Sequence, residues 1–432
     1  MAVVLRSSSD LVYLPDHGFV GEDGAIRILP QLSRQIRRLD ISHNLLGSTG
    51  IKTLFLGLQH LRMRYSTPDD LWGLRQINLG TNGITDEGLE CVLGYAKKDV
   101  CMREVLLQAN QIELRKNLTS IIHSLNSSNL TSLSLTNNKT LLPSSLSTLF
   151  LSLDSPNLQK LYLSACNITP SLTDSITNFL RSPRSRPLDL LELNGNSLGA
   201  DSVTKIIDTI ESHNFNLKQL GLLANDIKPD LSLFPNFDPS QFTSPEECMD
   251  RRTEERILNY QVHERLPSLL LRNRNLTKRT QKAALKCLPI ARILLNASPK
   301  SVDRIAEEVM NDISNERKME NMEGFNLLGL PEEILYLIIK HCSEDSEALS
   351  ENQFIGLIHE AKDEGSLKRR WNVLRERKMK VKWVEDVDEV VIGLKEEWLK
   401  RGKWDKWELD KYPEENGDVI VEMNGVGQLR LD

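Results

Sequence analysis

The chain lacks the short fingerprints by which most enzymes can be recognised. Its 432 residues contain no HExxH, GxSxG, phosphate-loop or dinucleotide pattern, and the eight histidines are scattered without metal-ligand spacing. The six cysteines (Cys91, Cys101, Cys166, Cys248, Cys287 and Cys342) form no CxxC pair. A chain of this length can build its core without disulfide staples, so reduced thiols in a cytoplasmic or nuclear compartment are expected. There is no run of eighteen apolar residues to cross a membrane, and Met1 to Asp16 hold no apolar run of signal-peptide length. Strong charge of either sign is also missing. A net charge of −6 and a pI of 5.9 give no global signature of nucleic-acid or acidic-membrane binding. These absences predict a non-enzymatic chain with no cofactor, no bound metal and no membrane contact, whose partners are proteins rather than nucleic acids. Seven Asn-x-Ser/Thr triplets would be glycan acceptors in a secreted protein. They are read here as a by-product of a repeat rich in Asn, Ser and Thr.

That repeat is the strongest feature present. Ile36-Arg-Arg-Leu39-Asp-Ile41-Ser-His-Asn44-Leu-Leu46 has the spacing LxxLxLxxNxL, which returns from Leu74, Met102, Leu130, Leu158, Leu188 and Leu217. Successive copies start 38, 28, 28, 28, 30 and 29 residues apart, and a near-fixed period of this size marks a stacked array. Within a copy, alternating apolar residues such as Leu39 and Ile41 predict a short strand with one buried face. Asn44, Asn82, Asn110, Asn138, Asn196 and Asn225 then turn the chain, with Cys166 in the fifth copy. A buried amide there can bond free backbone groups of its own and the neighbouring rung. Helical spacing follows the turns, as in Ile51, Leu54, Phe55 and Leu58, or Val203, Ile206, Ile207 and Ile210. Thr85 to Gly88 and Gly199 to Ser202 are read as capping residues.

One strand and one full helix per copy resembles the ribonuclease-inhibitor type of leucine-rich repeat, over about residues 30 to 230. The resemblance implies an α/β, right-handed solenoid with parallel strands on its concave face and helices on its convex face, and the residue pattern beyond it predicts an α-helical C-terminal region. The expected organisation is an N-terminal cap over 1–35, seven rungs over 36–230, a Pro-punctuated linker over 231–244 and a helical cap over 245–322. A helical region over 323–412 and a flexible tail over 413–432 complete it. In the cap, residues 11–14 are predicted to pair as a strand and residues 22–29 to form a short helix. Leu61 to Asp70, inserted in the long first interval, is predicted to be a loop.

A concave solenoid face is the usual partner-binding surface. The candidates on it are Arg37, Arg38, Asp40, His43, Arg75, Asn78, Arg103, Gln108, Tyr162 and Glu192. Charge runs from a basic end, through the hydroxyls of Thr131, Ser132, Ser134 and Thr136, to a partly acidic sixth copy. His43 beside Asp40 is read as a solvated strand-face residue rather than a general base.

The C-terminal half is predicted to be helical over 245–271, 276–295 and 302–322, with the Trp398, Trp404 and Trp407 cluster packing small helices. Leu330-Pro331-Glu-Glu-Ile334-Leu335 resembles the opening of an F-box, which implies docking on the Skp-type adaptor of a cullin ubiquitin ligase. Lys380-Val381-Lys-Trp383, basic before and acidic after, resembles the docking motif of type-1 protein phosphatase partners, which implies a strand added to a sheet edge. The Ran-specific GTPase activators share the repeat type, and that resemblance implies the remaining alternative. The leading expectation is a scaffold that recognises a protein on the repeats and serves as a ubiquitin-ligase substrate receptor. Oligomeric state is left open by the sequence.

Overall fold

A computed structural model describes residues 10–67, 71–225, 261–296, 327, 330–363, 365 and 387–408. The chain divides into two compact units, Met1–Arg274 and Asn275–Asp432.

In the first unit the N-terminal cap and each of the seven repeat copies make one three-residue strand: β1 (Leu11–Tyr13), β2 (Arg38–Asp40), β3 (Gln76–Asn78), β4 (Glu104–Leu106), β5 (Ser132–Ser134), β6 (Lys160–Tyr162), β7 (Leu190–Glu192) and β8 (Gln219–Gly221). The strands form one parallel sheet in sequence order, each in register with the next. Parallel neighbours need a crossover between them. Helices α1 (Gly21–Ile28), α2 (Gly47–Tyr65), α3 (Asp86–Ala96), α4 (Leu118–Asn126), α5 (Pro143–Ser152), α6 (Thr173–Arg181) and α7 (Gly199–Ser212) supply it. This alternation is compatible with a solenoid. The repeated apolar positions become columns of one continuous core, with Leu39, Ile77, Val105, Leu133, Leu161, Leu191 and Leu220 at the centre of the strands.

The turn after each strand has two repeated features. The residue before the ladder position is left-handed in every copy: His43, Thr81, Ala109, Asn137, Ala165, Gly195 and Ala224, with Asp16 in the first turn. Only Gly195 adopts that conformation without steric cost. The ladder side chain then holds the turn. Asn110 Nδ2 donates to Leu79 O (3.1 Å) and Leu107 O (3.0 Å), while its Oδ1 accepts from the N–H groups of Asn82 (3.0 Å) and Ile84 (3.1 Å). Cys166 reproduces only the donor half, from Sγ to Leu135 O at 3.1 Å.

Three expectations are corrected. Leu61 to Tyr65 are not loop but the last turn of α2. Leu61 and Tyr65 pack against the core, and the Tyr65 ring meets buried Trp72 edge-on at 5.2 Å. Thr85 does not cap α3 through its side chain; its hydroxyl pairs with that of Ser48 at 2.8 Å. Beside it, the buried Asp86 carboxylate accepts four backbone N–H groups of the following loop, from Glu113, Leu114, Arg115 and Lys116, at 2.7 to 2.9 Å. The helix expected from 276 is continuous with the turns before it, as α8 (Leu266–Asn296).

The first turns of α8 close the end of the first unit with side chains in place of another strand. The Lys218 carbonyl, which has no following strand among the described residues, accepts from Arg274 Nη2 at 2.8 Å. Asn273, fully buried, donates to Leu217 O (2.8 Å) and Asn214 O (3.0 Å). Arg272 stacks over Phe215 at 4.5 Å and donates to Ile210 O and Glu211 O, both at 2.8 Å. Those carbonyls end α7, where the helix dipole favours a cation. Burial pulls the Arg272 guanidinium down to about 10.

The second unit holds the rest of α8 with α9 (Glu332–His341), α10 (Glu351–Lys362) and α11 (Val387–Arg401). Its core joins Ala284, Cys287 and Ala291 to Ile339, Leu357, Trp398 and Trp404. The rings of Trp398 and Trp404 lie 4.4 Å apart and Trp404 Nε1 donates to Gln353 O at 2.9 Å, so these two tryptophans are packing residues as expected. Ile293 leaves the apolar face of α8 for solvent. Ser350 and Gln353 form a reciprocal capping box on α10. The expected linker, the helix over 302–322 and the tail over 413–432 lie outside the described residues, as do residues 245–260 of the expected helical cap.

Candidate functional site

The strand centres point into the helix-covered core, so by alternation their neighbours form the opposite, open face of the sheet. Register places Arg38, Gln76, Glu104, Ser132, Lys160, Leu190 and Gln219 in one column. Asp40, Asn78, Leu106, Ser134, Tyr162, Glu192 and Gly221 form the second. The sequence candidates fall into three groups on this framework.

Arg37, Arg75 and Arg103 sit at the strand-start rim, on successive rungs. The Arg75 N–H donates to Arg37 O at 2.6 Å and the Arg103 N–H to Arg75 O at 2.8 Å, which makes the three a column at about 4.8 Å per rung. Arg37 and Arg103 each turn one Nη1 back onto their own loop, at 2.7 Å to Arg34 O and 2.6 Å to Val100 O. Arg75 is exposed. Arg38 stands apart, paired with Asp10 at 2.7 Å. The Asp10 carboxyl is held below its usual range, first by that hydrogen bond and then by the guanidinium charge.

Asp40, Asn78 and Gln108 form a hydrogen-bonded chain at the other end of the strands. Gln108 Nε2 donates to Asn78 Oδ1 (2.9 Å), and Asn78 Nδ2 to Asp40 Oδ2 (3.0 Å), while Asp40 Oδ1 accepts from the Ser42 hydroxyl (2.7 Å). The amides are thereby oriented before any partner arrives. His43 is exposed in the left-handed turn that follows, so its first role is in the backbone geometry of the rung. The hydroxyl rung between the two charged ends is largely inaccessible, since Ser132 and Ser134 are buried.

Tyr162 and Glu192 form the third group, one strand apart. Partial burial raises the Tyr162 hydroxyl's pKa, and the negative charges of Glu192 and Glu104 raise it further. Glu192 also borders a feature that periodicity did not reveal, an open cleft of about 430 Å³ between β7, β8 and the first turns of α8. Its walls are Leu190, Leu220, Leu222, Leu223, Val262, Leu266 and Leu270, with Glu192, Asn194, Gln219, His263 and Arg274 among its polar groups. All of these belong to the first unit. Leu223 is 55% exposed, and the sequence hint it leaves is a leucine where the other copies carry Ser42, Gly80, Gln108, Thr136, Ser164 and Asn194. The capping residues Arg272 to Arg274 also escaped the pattern, because nothing periodic precedes them.

In the second unit, Pro331 is the N-cap of α9 and is exposed, Leu330 is half-buried, Ile334 is 41% exposed and Leu335 is buried against the helical core. Leu327 and Leu337 are exposed as well. Lys380, Val381 and Trp383 lie outside the described residues. Among the described residues no cluster of His, Cys, Asp and Glu could hold a metal ion, and no helix is long and apolar enough to cross a membrane. Compared with models of protein families and with curated proteins, the sequence matches no family model and no curated protein.

Proposed function

We propose that the chain is a non-enzymatic interaction scaffold of leucine-rich-repeat type that recognises a protein partner on the open face of its sheet. The reading rests on one observation: the strand-start rim of the face carries a column of three arginines and its other end a pre-oriented Asp40–Asn78–Gln108 chain, while Ser132 and Ser134 alone are buried among its strand residues. Arg37 and Arg103 are tethered to their own loops, and a partner surface benefits from cations whose conformational freedom is already reduced. The test is partner capture by the intact protein, followed by mass spectrometry, with wild type beside a variant carrying Arg75→Glu, Tyr162→Ala and Glu192→Lys. Partners of the open face should be lost from the variant. An unchanged set of partners would count against this reading.

A second contact is favoured by α9. Its Pro331 start and the exposure of Ile334 and Leu337, one turn apart, leave an apolar strip of the kind that docks on another protein. This supports a substrate-receptor role, with the strip on a Skp-type adaptor and the open face on the substrate. Purified adaptor should bind the chain and lose at least about tenfold in affinity after Pro331→Ala/Ile334→Ala, equivalent to about 1.4 kcal/mol. Binding that ignores the pair, or no binding at all, removes the adaptor role and leaves the open face untouched.

A further inference from the structure

The chemistry of the partner can be narrowed, on the reading that the open face binds one. Two features of that face ask for different groups. The first is the arginine column. Arg37, Arg75 and Arg103 place three like charges on consecutive rungs, and no described carboxylate lies within ion-pair distance of any of them. Like charges so close disfavour the free protein slightly, and an anion laid across them removes the repulsion while gaining charge-assisted hydrogen bonds. Two of the guanidiniums are already tethered to their own loops, which lowers the entropic cost of ordering them on a ligand.

The second is the cleft beside β7 and β8. Its volume of about 430 Å³ holds one bulky side chain with room at the mouth, and Leu190, Leu223, Val262, Leu266 and Leu270 make its walls apolar. A desolvated apolar pocket next to polar groups is the usual setting of an interface anchor. Among the residues lining the cleft the Glu192 carboxylate balances the Arg274 guanidinium, so this end offers no excess positive charge to an acidic group. The two ends therefore have different preferences, and a ligand can lie in only one polarity.

We infer that the open face takes a linear segment of a partner protein that carries an anionic group for the arginine column and, about four to six residues away, one bulky apolar side chain for the cleft. The spacing follows from the rungs. Arg103 precedes β4 and the cleft begins at β7, so three to four rungs of about 4.8 Å separate the sites, which an extended chain spans at about 3.3 Å per residue. The anion is either a pair of carboxylates or a phosphorylated side chain. Both satisfy the same guanidinium donors.

The full-length chain is titrated into fluorescein-labelled synthetic peptides. One set carries Glu-Glu-Glu and one carries phosphoserine, each followed or preceded after about five residues by Phe, with controls lacking either end or separated by a single residue. At least one two-ended peptide should bind, and removing an end or closing the spacing should weaken it at least about tenfold. Arg75→Glu and Leu223→Glu alter exposed side chains, so the fold is retained, and each should cause a similar loss. Comparison of the two sets shows which anion is used. Binding that is indifferent to spacing or to either substitution overturns the inference, as does the absence of binding to every peptide. The broader reading is judged separately: if partner capture still depends on the open face while no peptide binds, the inference alone falls.

Discussion

The two units solve the same problem, burying backbone and apolar groups, by opposite means. The first repeats one solution. Its strands and left-handed turn residues recur at each rung and its ladder amides at every rung but the fifth, so backbone groups buried at one turn find partners in a neighbouring copy, as the Asn82, Asn110 and Asn138 bonds show. The second unit repeats nothing. Ala284, Cys287 and Ala291 of α8 meet Trp398 and Trp404 from the end of the described chain, and the contact depends on particular shapes. A periodic unit thus adds polar bonds shared between neighbours to its apolar columns, while the aperiodic one centres on a few large apolar side chains.

The sharpest way to break this contrast is to remove one large group from each unit. Trp404→Ala should destabilise the second unit by about 4 kcal/mol, the usual cost of a buried tryptophan. Hydrogen exchange should then speed up in α9, α10 and α11 while β1 to β8 keep their protection. Asp86→Ala leaves four backbone N–H groups without their acceptor and should cost the first unit about 3 kcal/mol, with α9 to α11 unaffected. Loss of protection throughout the chain in either variant would contradict the division of labour.

Alkaline pH gives a smaller effect on both sides. Burial pushes the thiols of Cys166 and Cys287, one in each unit, from an ordinary value of 9.0 up to about 11. For Cys287 the Ser343 hydrogen bond opposes that rise, and neighbouring Cys342 adds to it. An acid whose folded pKa is raised stabilises the fold fully below its unfolded pKa, so this stability disappears as pH climbs from 9 to 11. The loss should be on the order of 2 kcal/mol for Cys166 and less for Cys287. Urea titrations across that range should show a shallower decline for Cys166→Ala than for wild type. Parallel declines would show that this thiol does not titrate with unfolding.

The smallest effect sharpens the ladder itself. Cys166 donates to Leu135 O but offers its neighbour no amide oxygen, and the Asn138 N–H turns back to Leu135 O at a long 3.3 Å. Cys166→Asn should restore the acceptor and stabilise the first unit by about 1 kcal/mol, read as a higher urea midpoint. A lower midpoint would show that the fifth rung has repacked around sulfur.

Much of the first unit could be read from residue spacing alone. Leu39, Ile41, Asn44 and their equivalents predict strand, turn and register together, because a period of 28 to 30 residues brings like positions onto one another. The strand and helix at the start were legible for the same reason, as a degraded copy. The interaction surface was only partly legible. Spacing showed that Arg37, Arg75 and Arg103 share a column, but not that Ser132 and Ser134 would be buried beside it. In the second unit, a Pro-led helix at Glu332 was visible and its packing was not.

The sequence by itself determined the rungs, since each is a local pattern repeated until its neighbours satisfy it. Only the tertiary structure decided the cleft and the Arg272–Asn273–Arg274 closure. Each of these joins residues far apart in the chain, such as Leu223 with Leu266 or Lys218 with Arg274, and no period relates them. A repeat can encode its own neighbours; where the repeat stops, contacts are set by what the folded chain happens to bring together.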